Sequence, residues 1–220
     1  MAAGDITNSM IAELGLRLED AAATIFTTVL KMVMLNKAQI QVAQSVHNCY
    51  LAELETISVA TLDFSTTYAL SGIGNTIFRG AEGILKVAIQ IGGSGSFIWA
   101  TEEDLEQLKK TENTYLAGSD ANPLYYIFAN SIYPLTTTTA LTKGKVFYLK
   151  APTTMTTDVD PILNKALHPL ILMLAEALCW GVDGKLDRKQ AALDIAMAEI
   201  EILNARYTAA ENIGTSGRGT

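Results

Sequence analysis

Residues 145–160 read Lys-Val-Phe-Tyr-Leu-Lys-Ala-Pro-Thr-Thr-Met-Thr-Thr-Asp-Val-Asp, and the hydrophobic period of the chain changes within them. Before Pro152 apolar residues alternate, as in a β-strand. After Asp160 they recur at steps of three and four to about Tyr207, as in helices. Asp160 as N-cap with Pro161 at the first helical position predicts a helix start there. Pro169 should kink this helix or split it into two pieces.

The N-terminal third is also predicted to be helical. Asn8 or Ser9 can cap a first helix, Met10 to Leu18, and a longer helix is predicted from about Phe26 to Leu54. Its apolar stripe includes Val29, Met32, Val33, Ile40, Ala43 and Val46.

The middle third is predicted to be β-rich. Residues 84–91 alternate, residues 92–95 contain three glycines, and Phe97-Ile-Trp99 follows, which together predict a hairpin. Thr101 with Asp104 resembles a capping box opening a short helix to about Lys110. Three more strands are predicted at Leu124–Phe128, Ser131–Tyr133 and Lys145–Leu149.

The predicted class is therefore α+β, with a helical bundle formed by the N- and C-terminal helices and an inserted antiparallel β-rich subdomain. The predicted segments are N-terminal bundle helices at 1–56, the β-rich insertion at 57–157, a C-terminal helical pair at 158–208 and a flexible tail at 209–220.

The charge and hydropathy of the chain argue against some classes of function. A net charge of -7 and no cluster of Lys or Arg argue against a nucleic-acid clamp. The mean hydropathy of +0.23 indicates apolar surface that other subunits cover. The strongest apolar run, Leu167 to Val182, is shorter than the roughly 18–20 residues that a bilayer requires, so no membrane partner is expected.

No catalytic, cofactor-binding or metal-binding residues are predicted. Gly72-Ile-Gly74 lacks the third glycine of a dinucleotide loop, and Ser94 lacks the flanking glycine of a nucleophile elbow. The two histidines and two cysteines are not spaced as a zinc site, and both thiols are expected to be buried. The aromatic strand residues lack interleaved Arg or Lys, which a stacking platform for bases requires.

The order of elements resembles the head-to-tail adaptor (connector) proteins of tailed bacteriophages over about residues 10–207. Leu35-Asn-Lys-Ala38 is similar to the Leu-Asn-x-Ala stretch of the family's main helix, and Tyr68-Ala-Leu70 to its Tyr-x-Leu-Pro. Phe147-Tyr-Leu-Lys-Ala-Pro152 is similar to the end of its strand series. Ser71 departs from the pattern, because the family has proline there.

The resemblance implies a ring of about twelve copies beneath the portal, in the neck of the virion, assembled in the host cytoplasm. Its partners would be portal, tail or nozzle proteins, and genomic DNA that passes through the lumen without sequence-specific binding. The tail after Ala210, with Ile213 and Arg218 as anchoring side chains, would reach into the portal.

The final helix itself predicts an interface. Ile195 and Ile202 lie on a different face from the stripe that contains Tyr207, and a helix with two apolar faces must be covered from two sides. We therefore expect Ile195, Ile202 and Tyr207 to contact portal or neighbouring subunits. Two alternatives remain open: another ring, stopper or tail-completion protein of the same particle, and an enzyme on an α+β scaffold.

Overall fold

A computed structural model of the chain describes residues 4–58, 62–64, 67–73, 77–91, 96–104, 118–119, 121–135 and 143–216, with side chains as far as residue 207. The chain divides into two compact units. The helical unit comprises Met1–Leu54 and Pro152–Thr220, and the sheet unit comprises Glu55–Ala151.

The described part of the helical unit contains four α-helices: α1 (Asp5–Arg17), α2 (Thr28–Ser45), α3 (His168–Val182) and α4 (Leu186–Ser216). Helix α3 is the central one, since α2 and α4 both pack on it and α1 contacts it as well. Helix α2 packs on α3 and, over the described residues, makes no extensive contact with α4.

Helix α3 is buried because nearly all its side chains are apolar. Its buried residues occupy most of the helix circumference: Leu170, Ile171, Leu172, Leu174, Ala175, Ala177, Cys179 and Trp180. Such a helix needs cover on more than one side, and α2 and α4 supply it. Pro169 does not kink α3, because α3 begins at His168 and places Pro169 in its first turn, where proline fits. The helical stretch is instead divided just before it, since a separate 3-10 turn, Lys165–Leu167, precedes α3.

Asp160 does not begin the following helix, as the sequence predicted. Its carboxylate accepts hydrogen bonds from the backbone N–H groups of Ile6 and Thr7, at 2.9 and 3.0 Å, and so caps α1 from 153 residues away. The Thr7 hydroxyl donates to the carbonyl of Val159 at 2.9 Å. Helix α1 therefore starts at Asp5, earlier than predicted, and the proposed caps Asn8 and Ser9 lie inside it.

The stretch that follows Pro152 is attached to α2 by side-chain amides. Asn36 accepts from the Met155 N–H at 2.7 Å and donates to the Met155 carbonyl at 3.0 Å. Gln39 donates to the Thr153 carbonyl at 2.9 Å. The Thr153 carbonyl and both backbone groups of Met155 are thereby satisfied on a helix surface, without the ladder of a sheet.

The loop between α1 and α2 is organised by Asp20. Its carboxylate accepts from the N–H groups of Thr24, Ile25 and Phe26 and from the Thr24 hydroxyl. The bond from Phe26 lowers the pKa of Asp20 most, Thr24 and Ile25 add to this, and burial opposes it, leaving a pKa of about 2. The buried Lys31 ammonium donates to the Asp20 carbonyl at 3.0 Å.

The described strands of the sheet unit number eight and are listed in chain order: β1 (Glu55–Ile57), β2 (Leu62–Asp63), β3 (Tyr68–Ala69), β4 (Ile84–Gln90), β5 (Ile98–Glu102), β6 (Leu124–Phe128), β7 (Ser131–Leu135) and β8 (Lys143–Leu149). Their spatial order is β1-β8-β4-β5-β6-β7-β3, with β2 also pairing with β8. The sheet curls into a half-barrel.

The concave interior of this sheet unit is its hydrophobic core. Strand alternation sends Val146 and Tyr148 of β8 inward beside Val87 and Ile89 of β4. Gly144 is required in β8, because a Cβ there would lie 2.2 Å from the ring of Phe64. The predicted hairpin of β4 and β5 is confirmed by their antiparallel pairing.

The predicted architecture, a helical bundle with an inserted antiparallel β subdomain, is wrong, although the class is α+β. The sheet is mixed, because β5 and β6 pair in parallel. A bundle is not evident, since α2 and α4 surround α3 instead of closing on each other. The predicted short helix from Thr101 is wrong at its start, where residues 101–102 belong to β5; residues 105–110 lie outside the described part.

Replacing Asp160 by Ala should lower the free energy of unfolding by about 1–2 kcal/mol, the usual effect of removing an N-cap. Urea denaturation measures it. Asp158→Ala is the matched control and should change stability by less than about 0.5 kcal/mol, because this exposed neighbour caps no helix. Equal effects of the two substitutions would contradict the capping role.

Asp20 should make the helical unit sensitive to acid. Its folded pKa of about 2 lies below the ordinary 3.8, so its contribution is complete above about pH 4 and is lost as pH falls towards 2. Asp20→Asn should be less stable than the wild type at pH 7, and the difference should shrink below pH 4. Denaturation midpoints from pH 7 to 2 test this, and a constant difference would refute it.

Candidate interface surfaces

One exposed apolar stripe runs along α4. Residues Ala191, Ile195, Ala198, Ile202 and Ala205 follow each other at steps of four and three, and all five are exposed. Ile195 is 56% exposed and Ile202 is 45% exposed, whereas Ala192, Ala196 and Ile200 on the other face are buried. A four-three spacing is that of a coiled-coil contact stripe. We call these five residues the α4 seam.

Acidic side chains flank the α4 seam. Asp194, Glu199 and Glu201 are exposed and lie within one residue of a seam position, and two basic residues of α4 also lie beside the seam: Arg206, next to Ala205, and Arg188, which lines a cleft with Ala191 and Ile195. The surroundings of the seam are therefore net negative, which disfavours contact with another acidic surface.

A second exposed stripe lies on α2. Val29, Val33 and Ile40 are exposed, at steps of four and seven, and Val29 is the most exposed of them at 74%. We call these three residues the α2 ridge. The buried face of the same helix carries Met34, Leu35, Ala38 and Val42. Helix α2 contains no acidic residue, and its exposed charge is Lys37.

Of the residues that the sequence marked as an interface, Ile195 and Ile202 lie together in the α4 seam. Tyr207 instead stacks on the His47 ring within the same chain, with ring centroids 3.7 Å apart. Ile213 belongs to α4, where its side chain is outside the described part, and Arg218 is outside it altogether.

Tyr207 belongs to a group of contacts that join α4 to the end of α2. The Asn204 amide donates to the Ser45 carbonyl and accepts from the His47 N–H, both at 2.9 Å. The Tyr50 hydroxyl donates to the Leu203 carbonyl at 3.0 Å. These bonds satisfy the end of α2, which stops at Ser45 and not at Leu54 as predicted.

The sequence missed the α2 ridge as a surface. The predicted apolar stripe placed Val29, Val33 and Ile40 together with Ala43 and Val46, yet the first three are exposed and the last two are buried. The signal was present, because Leu35, Ala38 and Val42 form a second apolar set on this helix. An apolar period that fits two faces indicates two contacts.

A cleft of about 350 Å³ adjoins the α4 seam. Its lining includes Met173 and Trp180 of α3 and Ala191 and Ile195 of the seam. Ion pairs occupy its charged groups, with Arg17 lying 3.7 Å from Glu176 and Arg188 lying 3.5 Å from Glu19. The cleft therefore offers apolar walls beside already paired charges.

The outer face of the sheet unit carries aromatic side chains with lysines between them. Trp99 is 55% exposed and lies 5.1 Å from Phe147, between ring centroids. Lys86 lies over the Trp99 ring at 5.3 Å and Lys145 over the Phe97 ring at 4.7 Å. These lysine contacts are made with Phe97 and Trp99, which were not among the strand aromatics considered as a stacking platform. Each ammonium covers one face of its ring and closes that face to a stacked base.

The described residues do not form a cluster of side chains that could bind a metal ion. Over the described residues, no group of three or more His, Cys, Asp or Glu side chains is arranged to hold a metal ion. Burial raises the pKa of Cys179 to about 11, so its thiol stays protonated at neutral pH. Cys49 is exposed, contrary to the expectation that both thiols are buried.

One described stretch, Lys165–Val182, is long and apolar enough to cross a bilayer, and half of it is buried inside the protein. It contains α3, the helix that α2 and α4 cover. Core helices have the same length and composition, so this stretch is weak evidence of a membrane span.

No protein-family model matches the chain, and no curated protein matches it in sequence. The two exposed stripes of the helical unit therefore carry the functional argument.

The two tryptophans should report the different environments that the structure gives them. Trp99 is 55% exposed and Trp180 is 3% exposed. The Trp180→Phe variant, which keeps Trp99, should emit at longer wavelength and be readily quenched by acrylamide. The Trp99→Phe variant should emit at shorter wavelength and resist quenching. Equal quenching of the two variants, both measured as monomers, would contradict the exposed aromatic face.

Proposed function

We propose that this protein is a virion structural protein, a portal-bound head-to-tail adaptor that forms a ring in the phage neck. The observation that carries the proposal is the α4 seam, with Ile195 and Ile202 about half exposed on the helix opposite its buried face. An isolated subunit leaves this apolar stripe in water, and identical neighbours are a source of cover that is always present.

The energetic reason for assembly follows from the exposed area. Fully burying an isoleucine side chain contributes about 1.5–3 kcal/mol, so covering the exposed half of each contributes roughly 1 kcal/mol. Ile195, Ile202 and the α2 ridge offer five such side chains per subunit. A closed ring repeats this contribution at every interface.

The charge of the chain supports a channel role. At -7, the protein repels a phosphate backbone overall, so a ring of copies would let DNA slide through without holding it. Genomic DNA is accordingly a passing partner, and portal and tail or nozzle proteins are the lasting ones.

The copy number of about twelve and the portal contact come from the resemblance of Leu35–Ala38, Tyr68–Leu70 and Phe147–Pro152 to the adaptor family. The family's bundle is not evident here. The proposal therefore rests on the sequence patterns and the exposed stripes.

A second candidate is another ring, stopper or tail-completion protein of the same particle. The departure from a helical bundle favours it, because that departure separates the chain from the architecture that the adaptor resemblance implies. Cross-linking to tail tube without any cross-link to portal would select this second candidate.

Aspartate substitution of the seam tests self-assembly. The wild type should sediment as a ring of many copies, and Ile195→Asp with Ile202→Asp should sediment as a monomer, because each interface would bury two unpaired charges. Leu16→Asp with Leu186→Asp is the matched control, since both residues are exposed and lie outside the seam. This control should still assemble.

Binding to purified portal protein, measured by light scattering, tests whether portal is a partner of the ring. The wild type should form a complex, and Ile213→Ala with Arg218→Ala should weaken it while leaving the ring intact. A wild type that stays monomeric at high concentration would overturn the ring. A ring that never binds portal would overturn the adaptor assignment and leave the second candidate.

A further inference from the structure

We propose that the α4 seam of one copy receives the α2 ridge of the next copy, so that each helical unit binds its two neighbours through two different faces. This inference rests on the proposed ring and names the contact that builds it. Both stripes are exposed in the single chain, and both lie on helices whose opposite face packs on α3.

Charge selects α2 as the occupant of the α4 seam. Three acids, Asp194, Glu199 and Glu201, outnumber the two bases, Arg188 and Arg206, beside the seam, so two α4 seams packed on each other would bring two net-negative surroundings together. Helix α2 has no acidic residue and exposes Lys37 beside its ridge. The pairing of α2 with α4 therefore removes the repulsion and places a lysine near the acids.

The side chains of the two stripes are complementary in size. The seam alternates alanine with isoleucine, so the small residues leave recesses between Ile195 and Ile202. The ridge presents the branched side chains of Val29, Val33 and Ile40. At about 1.5 Å per residue, the seam is about 21 Å long and the ridge about 16 Å long, so the ridge fits within the seam.

A contact between two different faces has a consequence for symmetry. Each copy offers one seam and one ridge, so binding leaves a free face at either end; the copies close into a ring if the rotation between neighbours closes, and continue as a filament if it does not. A contact between identical faces would stop at a dimer. The α2–α4 pairing therefore accounts for a ring with a single kind of interface.

Disulfide cross-linking between copies tests this pairing. In a background with the exposed Cys49 replaced by serine, Val33→Cys and Ile202→Cys are made as separate variants. The proposal does not fix which ridge residue lies opposite which seam residue. Val29→Cys, Ile40→Cys and Ile195→Cys are therefore added, so that several positions along both helices are sampled. Mixing an α2 variant with an α4 variant should give a cross-linked dimer for at least one combination, and each variant alone should give none.

The outcomes separate the possible occupants. Cross-linking of Ile195→Cys or Ile202→Cys alone would show α4 against α4 and overturn the proposal. Rings without any mixed cross-link would overturn it too, while the proposed function stands. A monomeric wild type would overturn both. Leu16→Cys mixed with Leu186→Cys is the control pair and should give no product.

Charge exchange gives a second, independent readout. Glu199→Lys with Glu201→Lys should weaken self-association about tenfold, since Lys37 of the next copy would then meet a lysine on whichever side of the seam it lies. Adding Lys37→Glu should restore most of that loss. The Lys37→Glu variant alone should be weaker than the wild type. If the triple variant assembles no better than the double variant, Lys37 does not face these acids and the pairing is wrong.

Discussion

The helical unit depends on the burial of α3. This helix is apolar around most of its surface, so a single partner helix would leave part of it in water. Helices α2 and α4 each cover a part of it, and each therefore becomes an outer layer one helix thick. In a monomer, the outer faces of such a layer would be polar. Here the outer faces carry Val29, Val33, Ile195 and Ile202, so these apolar side chains are exposed to solvent in the single chain.

Long-range polar contacts hold this arrangement in place. Asp160 caps α1, Asn36 and Gln39 bind residues 153–155, and Asn204 closes the end of α2. Each contact joins parts of the chain that are more than a hundred residues apart in sequence. Together they fix the positions of α1, α2 and α4 around α3, and so fix which faces of α2 and α4 remain exposed.

Local signals were sufficient for part of the fold. Alternation located β6 and β8, the glycine-rich turn indicated the pairing of β4 with β5, and the two faces of α4 predicted that Ile195 and Ile202 stay exposed. Contacts between residues far apart in sequence could not be predicted from local sequence patterns. Asp160-Pro161 is a good local helix start, yet the carboxylate serves a helix elsewhere. No hydrophobic pattern in the sequence distinguishes the parallel pairing of β5 with β6 from an antiparallel one. This pairing makes the sheet mixed, whereas an antiparallel subdomain was predicted.

The most direct test of the account is an electron cryomicroscopy reconstruction of the purified, self-assembled protein. The account predicts a closed ring in which the stripe Ala191, Ile195, Ala198, Ile202 and Ala205 is covered by Val29, Val33 and Ile40 of a neighbouring copy. A particle in which these side chains face solvent, or a protein that remains a monomer on the grid at high concentration, would contradict it.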